Sequence, residues 1–190
     1  MNSDSPDVFD CRILTAQPAD VERAFADLSR DMARDSVHVF LDKLRRYAQK
    51  PDRALFLAEH RERIIGFATI IDQSPAPDET DSDSAAQLAT YACGTGLMVL
   101  PEFRHGHVAS SLHEQWERWS RDRGHRGIWV VTRRMAHWYQ RCFSYSFHTV
   151  TKRHGVIKTV MTKPFARQSA PRPVPPPHIV AEKTATMEKE

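Results

Sequence analysis

With 190 residues, 41% of them hydrophobic, and a net charge of only +3, the chain suits one domain with a sizeable core rather than two. It has no run of about 18 apolar residues, and the opening "MNSDSPDVFDCR" has neither a basic front nor an apolar stretch of signal-peptide type, so neither a membrane-crossing helix nor a signal peptide is expected, and a soluble, cytoplasmic protein is. Three cysteines, Cys11, Cys93 and Cys142, odd in number and without C-x-x-C spacing, exclude a disulfide framework and a zinc knuckle.

In chain order, residues 1–8 are polar and read as a disordered N-terminus. "VFDCRILT" reads as a strand. Val21, Phe25, Leu28 and Met32 give "PADVERAFADLSRDMAR" one apolar face and predict a helix. A second helix, "SVHVFLDKLRRYAQK", ends at Pro51. "ALFLAEH" and "RIIGFATII" are β-rich runs parted by a polar Arg-Glu turn, which predicts a hairpin. "DQSPAPDETDSDSAAQ" reads as an acidic loop. "LATYACGTGLMVL" reads as one long strand, in which Gly94 and Gly96 predict a bulge or a close backbone approach.

Beyond "PEFRHGH", Val108, Leu112, Trp116 and Trp119 share one helix face, with Gly124 as the stop. "GIWVVT" is a compact buried strand. "RRMAHWYQRCF" sets Met135, Trp138, Tyr139 and Cys142 at i, i+3, i+4 and i+7, a short helix. "YSFHTVTKR" and "VIKTVMTK" alternate around His154-Gly155 as an edge hairpin. The tail, residues 166–190, is proline-rich and then charged, too poor in apolar residues to pack. The ordered domain is therefore expected over residues 9–165.

This order predicts a mixed α/β sheet. The portion strand, "RHGH", helix, strand must be a parallel crossover, so the basic knot lies at a strand's carboxyl end and a helix's amino end. Free amides and the helix dipole favour phosphate there; Gly106 and Ala109 are small enough for close approach, and Arg104 can add a charge-assisted contact. Charge placement agrees: residues 1–85 hold 11 Lys/Arg against 17 Asp/Glu, and residues 86–190 hold 16 against 7. A surplus of −6 in one half and +9 in the other points to an anionic partner for the second.

In element order and in this knot the chain resembles the GNAT superfamily of acyl-CoA N-acyltransferases, over about residues 10–165. The family's pyrophosphate motif, Arg/Gln-x-x-Gly-x-Gly/Ala after a V-x-P-E-Y/F lead-in, is matched in "VLPEFRHGHVA" by Val99, Pro101, Glu102, Phe103, Arg104 and Ala109. His107 stands where a glycine is usual, with Gly106 one position early. A second family element, N-x-x-A-x-x-F-Y-x-k-x-G-F, is matched in part by "TRRMAHWYQRCFSY". Trp138 and Tyr139 fall on the aromatic pair, Met135 on the alanine and Thr132 on the asparagine. The closing Gly-Phe is replaced by Phe143-Ser144, or by Ser144-Tyr145 with a one-residue slip.

The resemblance implies a mixed, mostly antiparallel sheet of about seven strands flanked by helices, with a splayed central parallel pair. It implies acetyl-CoA or another acyl-CoA as co-substrate and no metal. Phosphates would rest on Arg104, His105, Gly106, His107, Val108, Ala109 and Ser110; main chain of Leu97, Met98 and Val99 would hold the pantetheine arm and thioester; Thr132 joins the cofactor-binding set. Tyr139 would lie near the sulfur as catalytic proton donor, a reading preferred to that of a core aromatic on an amphipathic helix. No acid stands on "LATYACGTGLMVL", which leaves Tyr91, Cys93, Glu59, His60 or water as candidates for the base.

The function expected is acyl transfer, acetyl foremost, from CoA to an amine on a small molecule or protein. The alternatives are a non-catalytic module that binds acyl-CoA or a partner, and an enzyme acting on a nucleic-acid-borne amine. A membrane partner is not expected; a homodimer is allowed. His105, His107 and His113 lack a ligand cluster of Cys or carboxylate, so no metal is expected. Arg118, Arg121, Arg123 and Arg126 read as a solvated helix face before they read as a nucleic-acid patch, and "PRPVPPP" as a tail before a polyproline ligand. The acceptor pocket is expected between the two N-terminal helices and the acidic loop, opposite the CoA arm. There Asp78, Glu79, Asp81 and Asp83 would favour a small cationic amine, and Phe40, Tyr47 and Trp138 are within reach.

Overall fold

Seven strands form one sheet in the order β1-β2-β3-β4-β5-β7-β6. The structure, a computed structural model, describes residues 11–30, 34–72, 82–104, 106–153 and 155–166. The elements run β1 (Arg12–Thr15), α1 (Asp20–Leu28), α2 (Arg34–Gln49), β2 (Arg53–His60), β3 (Arg63–Ile71) and α3 (Ser82–Leu88). Then come β4 (Ala92–Val99), a single 3-10 turn (Pro101–Phe103), α4 (Val108–Asp122), β5 (Gly127–Thr132), α5 (Ala136–Phe143), β6 (Ser146–Arg153) and β7 (Val156–Pro164). Every neighbouring pair is antiparallel except β4 and β5, which are parallel. This is the mixed sheet that the element order predicts, and the mostly antiparallel one with a central parallel pair that the resemblance implies.

Periodicity placed most elements, and the hairpin turn is visible in its dihedrals: Arg61 and Glu62 both have positive φ, 48° and 66°, which suits the right-handed twist of the strands they join. The sheet is covered on both faces. Phe56, Ile65, Ile70, Val99, Ile128 and Met161 pack against Leu112 and Trp116 of α4 and Tyr139 and Phe143 of α5. On the other face Leu55, Leu57, Ile64 and Phe67 pack against Val21, Ala24 and Leu28 of α1 and Phe40, Leu44 and Tyr47 of α2. Of the three cysteines, Cys11 is half-buried, Cys93 is buried and Cys142 is exposed.

Four expectations need correction. The acidic loop holds a helix, α3, anchored by buried Leu88, and the turn after it is closed by Tyr91 N–H to the Leu88 carbonyl at 3.0 Å. The long strand therefore begins at Ala92: Leu88 and Tyr91 bury themselves under α3 with Cys93, Trp129 and Val160 instead of extending the ladder. Helix α1 stops at Leu28, capped by Ser29 N–H to the Phe25 carbonyl, and buries Val21, Ala24 and Leu28; Met32 is outside the described residues. In α5 the buried pair is Tyr139 and Phe143, Met135 precedes the helix and is 46% exposed, and Cys142 is exposed, because the helix turns its 139/143 edge toward Tyr145 and Met161. The readings of residues 1–8, Asp78, Glu79, Asp81, His105, His154 and the tail from 167 lie outside the described residues.

The parallel pair opens where the glycines stand. β4 and β5 are paired only at Ala92/Ile128, Cys93/Trp129 and Gly94/Val130. On the other side, Ile70 faces Gly94 but Thr69 faces Gly96, so Thr95 is an extra residue in β4, a bulge. Gly94 is needed at this point: a Cβ there would lie 2.8 Å from the ring of fully buried Trp116 and 2.9 Å from Val130. After the bulge, Thr95, Gly96, Leu97 and Met98 are half-exposed although the strand is central, while Ala92–Gly94 and Val99 are buried. The strand thus forms the floor of a cleft.

Candidate active site

A groove of about 550 Å³ starts on that floor. Leu97, Met98 and Val99 of β4, Phe103 and Arg104 of the following turn, His107, Val108, Ala109 and Ser110 at the start of α4, and Trp138, Tyr139 and Phe143 of α5 line it, with Met135 and Cys142 at its margin. Most of the residues singled out from sequence are thereby brought together. Gly106 is half-buried beside the groove and is not among its lining residues. Thr132 is buried and turned to another task, its Oγ1 accepting the Met135 N–H at 2.9 Å and so setting the turn into α5.

The first turn of α4 carries no acidic residue, and the leading amides of any helix lack intrahelical acceptors, so this end of the groove is electropositive. His107, the residue before the helix, has φ 61° and ψ 0°. The left-handed conformation thus falls on the position where the resemblance expects glycine. Its carbonyl accepts Ser111 N–H at 3.0 Å, which starts the helix. Arg104 folds back over the end of β4, its Nε donating to the Val99 carbonyl at 3.2 Å.

At the other end Tyr139 is 9% exposed, with Trp138 (5.1 Å) and Tyr145 (5.2 Å) set edge-on to its ring. It is both a core aromatic and a lining residue of the groove. Burial pushes its pKa up to about 12, which keeps the phenol protonated at neutral pH. Behind it lies a polar set that sequence reasoning missed. His113 of α4 is buried, its Nε2 3.1 Å from the Tyr145 hydroxyl, and its ring stacks on Phe143 at 4.1 Å. Burial, then Lys163, against Glu117, lowers the His113 pKa to about 4. His113 is thereby committed to the core, and its spacing of four from Glu117 on one helix face was the available signal.

The candidates for a base do not meet the groove. Glu59 is paired with Arg23 at 2.6 Å, His60 packs against the Phe103 ring at 5.7 Å, and Tyr91 and Cys93 are buried under α3. Among the described residues no carboxylate lines the groove. Among the described residues no group of three His, Cys, Asp or Glu could hold a metal, and no helix is long and apolar enough to cross a membrane. Two of the four arginines of α4 and its end are engaged: Arg121 pairs with Glu117 and stacks on Phe165, and Arg123 donates to the Pro51 carbonyl and stacks on Trp119.

A mostly antiparallel sheet that parts at its one parallel pair, with a helix amino end beside the parting, is the architecture of the N-acetyltransferases. The chain belongs to the acetyltransferase (GNAT) family, whose model matches residues 21–145. A comparison with curated proteins found no significant sequence match. In fold the chain is similar to an aminoglycoside 6'-acetyltransferase type Ii, at 15% identity and a TM-score of 0.64 over 83% of this chain and 99% of that one. It is also similar to the ribosomal-protein-S18-alanine N-acetyltransferase of Escherichia coli (14%, 0.61, 84% and 97%). A third likeness is to the PaiA N-acetyltransferase of Thermoplasma acidophilum, solved with coenzyme A (14%, 0.57, 82% and 99%).

Proposed function

We propose that this protein transfers an acyl group, acetyl foremost, from CoA to an amine. The observation that carries the reading is the single groove that joins the open stretch of β4, the first turn of α4 and Tyr139. Pyrophosphate would rest on the amides of His107 to Ser110 with Arg104 beside them, and the pantetheine arm would run along Leu97 to Val99, whose β5 side has no strand partner beyond Gly94.

The neutral amine attacks the thioester carbonyl, the carbonyl oxygen is held by main-chain N–H of the open strand, the C–S bond breaks and the thiolate takes a proton from the Tyr139 hydroxyl, while the proton shed by the amine nitrogen passes through water and restores the phenol, leaving an amide and the free CoA thiol. The rival reading, an acyl-CoA-binding module without turnover, is favoured by the lack of a carboxylate among the described residues that line the groove.

Calorimetry with acetyl-CoA, followed by turnover against a panel of amines, separates them. Arg104→Glu should weaken CoA binding at least tenfold, and Tyr139→Phe should lower kcat by a factor on the order of 10² with little change in CoA affinity. No binding at millimolar CoA would end the proposal; an unaltered rate in Tyr139→Phe would remove that residue's role.

A further inference from the structure

On the face of the sheet opposite the groove, helix α2 sends one long side chain to the bulge. Lys43 Nζ donates to the Thr95 carbonyl at 3.0 Å, and a Cβ on Gly96 would come within 2.8 Å of it. Beside it the Tyr47 hydroxyl is 2.6 Å from Thr95 Oγ1, and Thr95 Oγ1 is 3.0 Å from Thr69 Oγ1. These residues surround the first half of the cleft floor from the side that the CoA groove leaves open.

Two arginines and the Tyr47 ring, 5.8 Å from Lys43 Nζ, stand nearby. Arg46 stands one turn along α2, and Arg53 lies over the Tyr47 ring at 5.4 Å with its own carboxylate, Asp52, already paired to it. Among the described residues Lys43 has no ion-pair partner, and its one hydrogen bond goes to a backbone carbonyl. An ammonium has three donors, so two remain for something else. Holding a half-buried cation without a counter-ion is costly, and here burial, followed by Arg46, pushes the Lys43 pKa below its ordinary value.

We propose that the amine acceptor carries an anionic group, a carboxylate or a phosphate, and that Lys43 binds it beside the β4 bulge. The inference rests on the transferase reading above and names its substrate class. An anion at this point supplies the missing counter-charge, takes the two open donors, and holds the acceptor on the face from which its nitrogen can reach a thioester lying over Leu97. The positive surroundings disfavour the small cationic amine that the acidic N-terminal half suggests.

The test uses the full chain, acetyl-CoA, and matched acceptors that differ only in charge: the α-amino acids and glycine-to-6-aminohexanoate series against their carboxamides, with 1,3-diaminopropane as the cationic control. The readout is the ratio of kcat/KM for acid over amide, compared between wild type, Lys43→Met and Lys43→Arg. Taking the ratio of ratios cancels the different basicities of the amines.

Wild type should favour the acids, Lys43→Met should lose at least about tenfold of that preference, and Lys43→Arg should keep most of it. Acetyl-CoA affinity should be the same in all three, because the CoA groove is on the other face. If acetyl-CoA does not bind, the transferase reading falls and takes this inference with it. If acetyl-CoA binds but the preferred acceptors are diamines or amides, if no acid in the series is acylated, or if Lys43→Met keeps the wild-type preference, the inference alone is overturned.

Discussion

Buried His113 makes the stability of this protein depend on pH in a way that can be worked out. Its pKa is about 4 in the folded chain against 6.5 for the free group, so between these values the unfolded state binds the proton and the folded state does not. The sign follows: stability is complete above about pH 6.5 and falls as the pH drops, levelling off below about pH 4. The loss from His113 alone is about 2 kcal/mol at pH 5 and about 3 kcal/mol at pH 4, from the linkage of one proton to the two pKa values. The perturbation that isolates it is His113→Gln, which keeps a polar group toward the Tyr145 hydroxyl but does not titrate. Urea denaturation of both proteins at pH 8 and pH 5 gives the comparison. The variant is expected to start less stable, through poorer stacking on Phe143, and to lose about 2 kcal/mol less than wild type over that interval. Equal losses would mean that His113 accepts a proton without cost, and the argument from its burial would be wrong.

Other outcomes follow from single backbone and packing features. His107 and Ser144 hold left-handed dihedrals, φ 61° and 59°, that cost a side chain about 1 kcal/mol, so His107→Gly and Ser144→Gly should each raise the unfolding free energy by about 0.5 kcal/mol; a loss in either would show the side chain to be the larger effect. Gly94→Ala places a methyl 2.8 Å from the Trp116 ring and should destabilise by about 1–3 kcal/mol through overpacking, read as a lowered urea midpoint. The same substitution at Gly124, where an added Cβ meets nothing within 4 Å but φ is +77°, should cost only the backbone strain of about 1 kcal/mol, and a loss as large as that at Gly94 would contradict the packing argument.

How far the fold and site could be read in advance depended on whether their determinants were contiguous. The strand, knot and helix from Leu97 to Ser110, and Tyr139 on its short helix, are each local patterns, and they converge on one groove. Helix α3 was not legible because its seven residues, SDSAAQL, hold a single anchor, Leu88, and a period cannot be seen in one residue. Lys43 was not legible because it reads as the polar face of α2; only the fold brings it to Thr95, 52 residues away. The Tyr145–His113 pair is hidden for the same reason, being 32 residues apart.

The two places where the chain departs from the family motifs share a backbone conformation. Where the first motif expects glycine the chain has His107, and where the second ends in Gly-Phe the chain has Ser144-Tyr145 under the one-residue slip. Both His107 and Ser144 nevertheless take positive φ, and the N–H of Ser144 closes α5 onto Gln140 as a C-terminal glycine would. Ser144 in that conformation also selects the slipped alignment, since Tyr145 then takes the buried aromatic place and Phe143 stays on the helix face that lines the groove. At both positions this chain holds a left-handed backbone dihedral. Glycine meets it at least steric cost and histidine and serine meet it with strain, so the two positions that differ from the motifs in residue type are the ones where a glycine would fit the backbone of this chain without that cost.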